Sequence, residues 1–168
     1  RGLGDVYKRQ ELVRSDRAML EVRALRHPCM APSTLQAGGS GAFIPNDIAL
    51  GGQAEEVMVL TGGNMAGKST TARTAAIAVI LAQLGCYVPA ESARIAPADR
   101  IASRMGANDQ LFRNHSTFMV EMLEAAKILR DATPRSLVIM DELGRGTSTF
   151  DGQAIAYAVL HLSLIHIS

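Results

Sequence analysis

The residues whose types and spacing could do chemistry fall in two places. The first is Gly62-Gly63-Asn64-Met65-Ala66-Gly67-Lys68-Ser69, which satisfies the pattern GxxxxGK[ST]. Gly62 and Gly67 let the backbone curl so that several N–H groups point into one concavity suited to phosphate oxygens. A helix beginning near Lys68 would aim its positive dipole end at the same place. Lys68 adds a mobile cation for β- and γ-phosphates, and the Ser69 hydroxyl is a ligand for Mg²⁺. The alternative is a plain glycine turn into a helix. Its place between an expected strand and an expected helix favours the phosphate reading.

The second place is Leu137-Val138-Ile139-Met140-Asp141-Glu142. An acid at the carboxyl end of a buried strand is suited to holding Mg²⁺, usually through water, which assigns the metal to Asp141 and Ser69. Glu142, one residue further, has the chemistry of a general base that takes a proton from attacking water. GTPases generally orient that water with Gln, so Asp-Glu points towards ATP. On their own, two acids at a strand end would be commonplace. Two other segments carry weaker signals. Residues 141–152 hold Gly144, Arg145, Gly146, Thr147, Ser148, Thr149 and Gly152, a composition suited to a tight loop against another surface. Ser116, at an expected helix start, reads by itself as an N-cap before it reads as an anion ligand.

The elements that must position these groups follow from pattern. Residues 57–61 form a short apolar run between Gly51-Gly52 and Gly62-Gly63, which predicts a buried strand. Residues 68–84 are rich in Ala, Ile and Leu and predict a helix ending at Gly85. Pro89 and Pro97 break the chain into short extended pieces. Ser116 or Thr117 can cap a helix running to about Asp131, with Met119, Met122, Ala126 and Leu129 at helical spacing. Residues 137–140 predict a strand buried on both faces, and residues 152–161 a further helix. The region 28–41 is a loop rich in Pro, Gly, Ser and Thr. Alternating strands and helices predict an α/β fold with a largely parallel central sheet flanked by helices.

Length and composition bound the rest. The 168 residues amount to about one domain, 48% hydrophobic and 20% charged, with no internal repeat. Seventeen Lys and Arg against sixteen Asp and Glu leave a net charge of +1, no electrostatic case for wrapping nucleic acid unaided. With no Trp and 4% aromatic residues, a stacking platform for single strands is disfavoured. Cys29 and Cys86 lack metal-ligand spacing and fit a reducing compartment. The longest apolar run, from Ala75 to Ala82, is eight residues against the roughly 20 of a helical span, so no membrane partner is expected. Residues 1–10 and 162–168 resemble translated sequencing-adapter read-through, which would leave 11–161 as a native piece truncated on both sides; ordinary ragged termini are the alternative.

Four ordered stretches then carry a resemblance. Thr61-Gly62-Gly63-Asn64-Met65-Ala66-Gly67-Lys68-Ser69-Thr70, Gly85-Cys86-Tyr87-Val88-Pro89-Ala90-Glu91, Ser116-Thr117-Phe118-Met119-Val120-Glu121 and the segment 141–152 together resemble the ATPase domain of the MutS family of DNA mismatch-repair proteins. The likeness covers about residues 26–161. With Phe43-Ile44-Pro45-Asn46-Asp47 upstream, it is most similar to the eukaryotic subunit that recognises single mismatches within a heterodimer.

The resemblance implies a P-loop NTPase of ABC type, whose domains dimerise head to tail and share two ATP sites. It implies ATP and Mg²⁺ as cofactors and a second MutS-like subunit as partner. Mismatched double-stranded DNA would be gripped through domains outside this chain, in the nucleus if the source is eukaryotic and otherwise in the cytoplasm. Ser116 would reach the γ-phosphate of the partner's nucleotide, Phe43 and Ile44 would contact adenine, and Asn64 would lie near the γ-phosphate. Taken alone, Phe43 reads as a core residue. The family usually has Pro where Gly63 stands and often Gly where Ala66 stands, and its switch histidine has no match here, since His161 falls in the preceding helix.

The expected activity is ATP binding and hydrolysis coupled to dimer closure, with Lys68, Glu142 and, in trans, Ser116 as the reacting set. One rival is an ABC-type ATPase of another system, although the LSGGQ-like signature it should carry is not found. A second is a module that dimerises on ATP without turnover.

Overall fold

A computed structural model describes residues 9–29, 44–105, 117–144 and 147–166. The chain divides into two compact units, Arg1–Ala98 and Asp99–Ser168.

The first unit contains β1 (Glu11–Leu12), β2 (Met19–Leu25), β3 (Asn46–Leu50), α1 (Lys68–Gln83) and β4 (Ser92–Ala96). Its sheet has the order β1-β4-β2-β3. β1 runs parallel to β4, while β2 is antiparallel to both β3 and β4. The sequence of β2, Met-Leu-Glu-Val-Arg-Ala-Leu, explains its place: Leu20 and Val22 are buried, whereas Glu21 and Arg23 between and beyond them stay accessible. At Ala24 the strand bulges. Its φ is +49°, the β2–β3 register shifts there, and the Ala24 N–H donates to Asp47 Oδ1 at 2.7 Å.

Helix α1 buries Thr74, Ala75, Ala78, Val79 and Ala82, a stripe at helical spacing whose small residues allow close approach to β2. The helix ends as expected at Gly85, with φ +77°. The Cys86 N–H bonds the Leu81 carbonyl and the Gly85 N–H the Ala82 carbonyl, a Schellman ending. Leu25, Val88 and Ile95 complete this core, each nearly or wholly inaccessible.

The second unit contains β5 (Arg100–Arg104), α2 (Thr117–Asp131), β6 (Ser136–Met140) and α3 (Thr149–His166). β5 and β6 pair in parallel, with α2 following β5 and preceding β6 in a βαβ arrangement. Beyond the last turn of α2, the Thr133 hydroxyl donates to Asp99 Oδ2 at 2.5 Å and the Ser136 hydroxyl to Asp99 Oδ1 at 2.9 Å.

Helix α3 starts earlier than residue 152, because Ser148 caps it. The Asp151 N–H donates to Ser148 Oγ at 3.2 Å, and that hydroxyl donates to Asp151 Oδ2 at 2.7 Å. No helix among the described residues is long and apolar enough to cross a membrane.

Three further expectations are corrected. The ABC-type P-loop NTPase fold with a largely parallel central sheet does not hold, because the four-stranded sheet is mixed and β2 runs against both its neighbours. Strand–helix alternation predicts parallel pairing only for strands joined by crossover helices, and β2 enters the sheet outside that pattern.

Residues 57–61 also form no strand. Met58, Val59 and Leu60 are 39%, 68% and 41% exposed. A five-residue apolar run registers hydrophobicity, and hydrophobicity alone does not supply a strand with hydrogen-bonding neighbours. In α2, Met119 and Ala126 of the expected apolar stripe are exposed, and the buried positions are Glu121 and Ala125.

Candidate functional site

The glycine loop lies in the first unit and leads directly into α1. Gly62 has φ +149° and Gly67, the residue preceding the helix, has φ +90° and ψ 12°. Both values lie where a Cβ is strained, although at Gly67 an added Cβ would meet nothing within 4 Å. Gly67 is therefore required by backbone conformation and not by crowding. Met65 also takes a positive φ, +66°, with its side chain wholly exposed. The turn is closed by the Ala66 N–H bonding the Gly63 carbonyl at 3.2 Å.

Lys68 folds back over this loop. Its Nζ donates to the Gly62 carbonyl at 2.7 Å and to the Gly63 carbonyl at 2.8 Å. The ammonium is thus held against the mouth of the loop by neutral acceptors, which a phosphate oxygen would replace as a better partner. Helix α1 has no side-chain cap at Gly67 and no acid in its first turn. Within the helix itself, then, no capping side chain or first-turn acid meets the N-terminal dipole end. Lys68, Ser69 and Thr70 form that first turn and are partly buried, while Gly62, Gly63, Asn64, Met65 and Ala66 are exposed.

The acid pair lies in the second unit, just beyond β6. The Asp141 N–H donates to the Arg104 carbonyl at 2.9 Å, extending the β5–β6 ladder by one bond. Glu142 is exposed and has φ +53°. For a residue with a Cβ that left-handed conformation costs about 1–2 kcal/mol, so neighbouring contacts must hold it.

Gly144, with φ +81°, follows at a crowded crossing. A Cβ there would stand 2.8 Å from the Gly152 Cα, and one on Gly152 would stand 2.8 Å from the Gly144 oxygen. The two glycines let the loop end and the first turn of α3 touch.

One buried contact is not singled out by the sequence. The Gly144 N–H donates to Glu121 Oε1 at 2.8 Å within the buried interior, and Glu121 is only 4% exposed. Arg104, with its side chain 10% exposed, lies 4.0 Å from Glu121 Oε2 and 3.4 Å from Glu124 Oε2. The available signal was an acid four residues before Ala125 in α2, which puts both on one helical face.

Ile44 is 78% exposed, a bare apolar side chain able to meet a planar ring. Phe43 and Ser116 lie outside the described residues. Among the described residues no group of three His, Cys, Asp or Glu could cage a metal. Magnesium does not need such a cage. It takes one or two protein oxygens together with substrate phosphates; Ser69, in the first unit, and Asp141, in the second, each carry a hard oxygen.

Comparison with known proteins adds the lineage. Residues 58–167 match the family described as MutS domain V. The chain is 55% identical over 148 residues to the DNA mismatch repair protein MSH6 of Saccharomyces cerevisiae, covering 88% of this chain and 12% of that protein. It is 52% identical over 160 residues to the DNA mismatch repair protein MutS of Sorangium cellulosum, covering 94% and 17%. The MutS of Oleidesulfovibrio alaskensis is 56% identical over 139 residues, covering 83% and 15%.

The chain therefore spans between 12% and 17% of the length of these relatives. The yeast and bacterial proteins are about equally similar to it. With the match to MutS domain V, the mixed architecture described above replaces the ABC-type, largely parallel fold.

Proposed function

The chain belongs to the MutS family of DNA mismatch-repair proteins, and we propose that this segment binds ATP with Mg²⁺ and promotes its hydrolysis. The observation that carries the reading is the Lys68 ammonium drawn onto the Gly62 and Gly63 carbonyls at the uncapped start of α1. Such a loop combines a cation, a helix N-terminus and backbone curvature, the three features a polyphosphate needs. Residues 62–70 hold the phosphates, with Asn64 hydrogen-bonding a terminal oxygen or its water. Ile44, and Phe43 beside it in sequence, contact the base.

Ser69 and Asp141 are the residues that would hold Mg²⁺, which would supply neutralisation of the charge that develops on the phosphates. Glu142 accepts a proton as water attacks the γ-phosphorus, while the bond to the β-phosphate oxygen breaks and leaves ADP and phosphate. Ser116 acts in trans on the nucleotide of a second MutS-like subunit. Nucleotide state is coupled in this way to a dimer's grip on mismatched DNA, made by parts of the full-length protein outside this segment. The compartment follows the host, nucleus in a eukaryote and cytoplasm in a bacterium, since relatives come from both.

The test is equilibrium binding of a non-hydrolysable ATP analogue with Mg²⁺ to the full-length protein that carries this segment. Tight binding that Lys68→Ala weakens by about tenfold or more supports the proposal. Equal affinity in the two proteins refutes it.

A further inference from the structure

Glu121 is a buried carboxylate that the proposed chemistry does not use, and its partner is a backbone amide beside the acid pair. The segment from Asp141 to Gly144 is pinned at both ends: the Asp141 N–H bonds the Arg104 carbonyl at 2.9 Å, and the Gly144 N–H bonds Glu121 Oε1 at 2.8 Å. Glu142 lies between the two pins with φ +53°, a conformation its own Cβ disfavours. Arg104 contributes to both ends, through its carbonyl to Asp141 and through its guanidinium, 4.0 Å from Glu121 Oε2.

Gly144 also abuts Gly152 of α3, so nothing larger fits between the loop and that helix. A charge-assisted bond to a backbone N–H in an enclosed site is stronger than a neutral one and fixes direction as well as distance. Glu121 is placed on the second turn of α2, whose first residue, Thr117, follows Ser116 directly.

We propose that Glu121 is a positioning residue: its carboxylate holds the Gly144 amide so that Glu142 keeps the backbone conformation from which it can meet the attacking water, and ties that conformation to α2. This rests on the reading of Glu142 as the base given above. Because the effect runs through one hydrogen bond, loss of the acceptor should lower turnover and leave nucleotide affinity nearly untouched.

The experiment uses the full-length protein with its partner subunit and compares Glu121→Gln, Glu121→Asp and Glu142→Gln with the wild type. Four quantities are read: kcat, KM, affinity for a non-hydrolysable ATP analogue, and hydrogen exchange at the Gly144 amide. Gln keeps an oxygen at the position of Oε1, whereas Asp keeps the charge and withdraws it by one methylene. Glu121→Asp is expected to lower kcat about tenfold to a hundredfold, the scale of a reacting group displaced by roughly 1 Å, with KM within about threefold.

Glu121→Gln should retain most of the turnover, and exchange at Gly144 should be fast in the Asp variant and slow in the Gln variant. If Glu121→Asp turns over like the wild type while its Gly144 amide exchanges freely, the proposal fails. It fails also if Gln loses as much turnover as Asp with Gly144 still protected, since the ion pair with Arg104 would then be what matters. If Glu142→Gln hydrolyses ATP at the wild-type rate, the base assignment falls instead, and Gly144 exchange still decides whether Glu121 holds the loop.

Discussion

The Lys68 ammonium donates to the carbonyl oxygen of Gly62, six residues earlier, at 2.7 Å. The side chain that the phosphate reading depends on is therefore already folded across the loop it serves. A ligand phosphate would exchange a neutral acceptor for a charged one without moving the cation far. Lys68→Ala is expected to weaken binding of a non-hydrolysable ATP analogue by about tenfold to a hundredfold, the worth of one or two charge-assisted hydrogen bonds. Equilibrium titration of the full-length variant measures it.

Glu142→Gln should keep nucleotide affinity and slow hydrolysis by about a hundredfold to ten-thousandfold, the usual contribution of a positioned general base. Single-turnover phosphate release separates this from a binding defect. Hydrolysis at the wild-type rate would remove Glu142 from the chemistry.

Substitution within the glycine loop should divide by conformation. Gly67→Ala meets open space but must adopt φ +90°, and is expected to cost about 1–2 kcal/mol together with a loss of ATP affinity. Gly63→Ala also meets nothing within 4 Å, and its φ lies outside the left-handed region, so stability and binding should stay near those of the wild type. Denaturation midpoints and titrations of the pair test the contrast.

Gly144→Ala should be worse than either. It combines φ +81° with a Cβ 2.8 Å from the Gly152 Cα, a backbone atom that cannot swing aside. Backbone strain and overpacking together predict a loss of about 2–4 kcal/mol. A fall in the urea midpoint with no fall in turnover of the remaining folded protein would show that the loop adapts.

Asp99 supplies a pH dependence. The Thr133 hydroxyl holds its carboxyl below the ordinary carboxylate value; Ser136 and the charge of Arg135 act in the same direction, and burial opposes them. A folded-state pKa below the unfolded one, near about 3.9, means that the ionised form favours the fold. That stabilisation is fully present above the unfolded pKa and is lost as pH falls through the folded value. Asp99→Asn should therefore flatten the acid limb of a plot of urea midpoint against pH. An unchanged limb would show that the network contributes nothing.

Parts of this architecture were legible because they are local. The α1 start at Lys68, its end at Gly85, the span of α2 to Asp131 and β6 around residues 137–140 all emerge from periodicity, capping and glycine conformation. Nearest neighbours along the chain determine these features, so their signals survive in a single sequence. The edge of α3 was missed by three residues because the Ser148–Asp151 capping pair lay inside what reads as loop composition.

By itself, then, the sequence determined the glycine–lysine loop, the helix it opens and the acid pair after an apolar run, together with the family these residues resemble. Tertiary structure alone decided that β2 runs antiparallel between β3 and β4, that residues 57–61 form no strand, and that Glu121 reaches Gly144 across 23 positions. Pairing direction and burial depend on which distant segments meet. That choice is made by summed packing and hydrogen-bond satisfaction, to which no short window of residues holds the key.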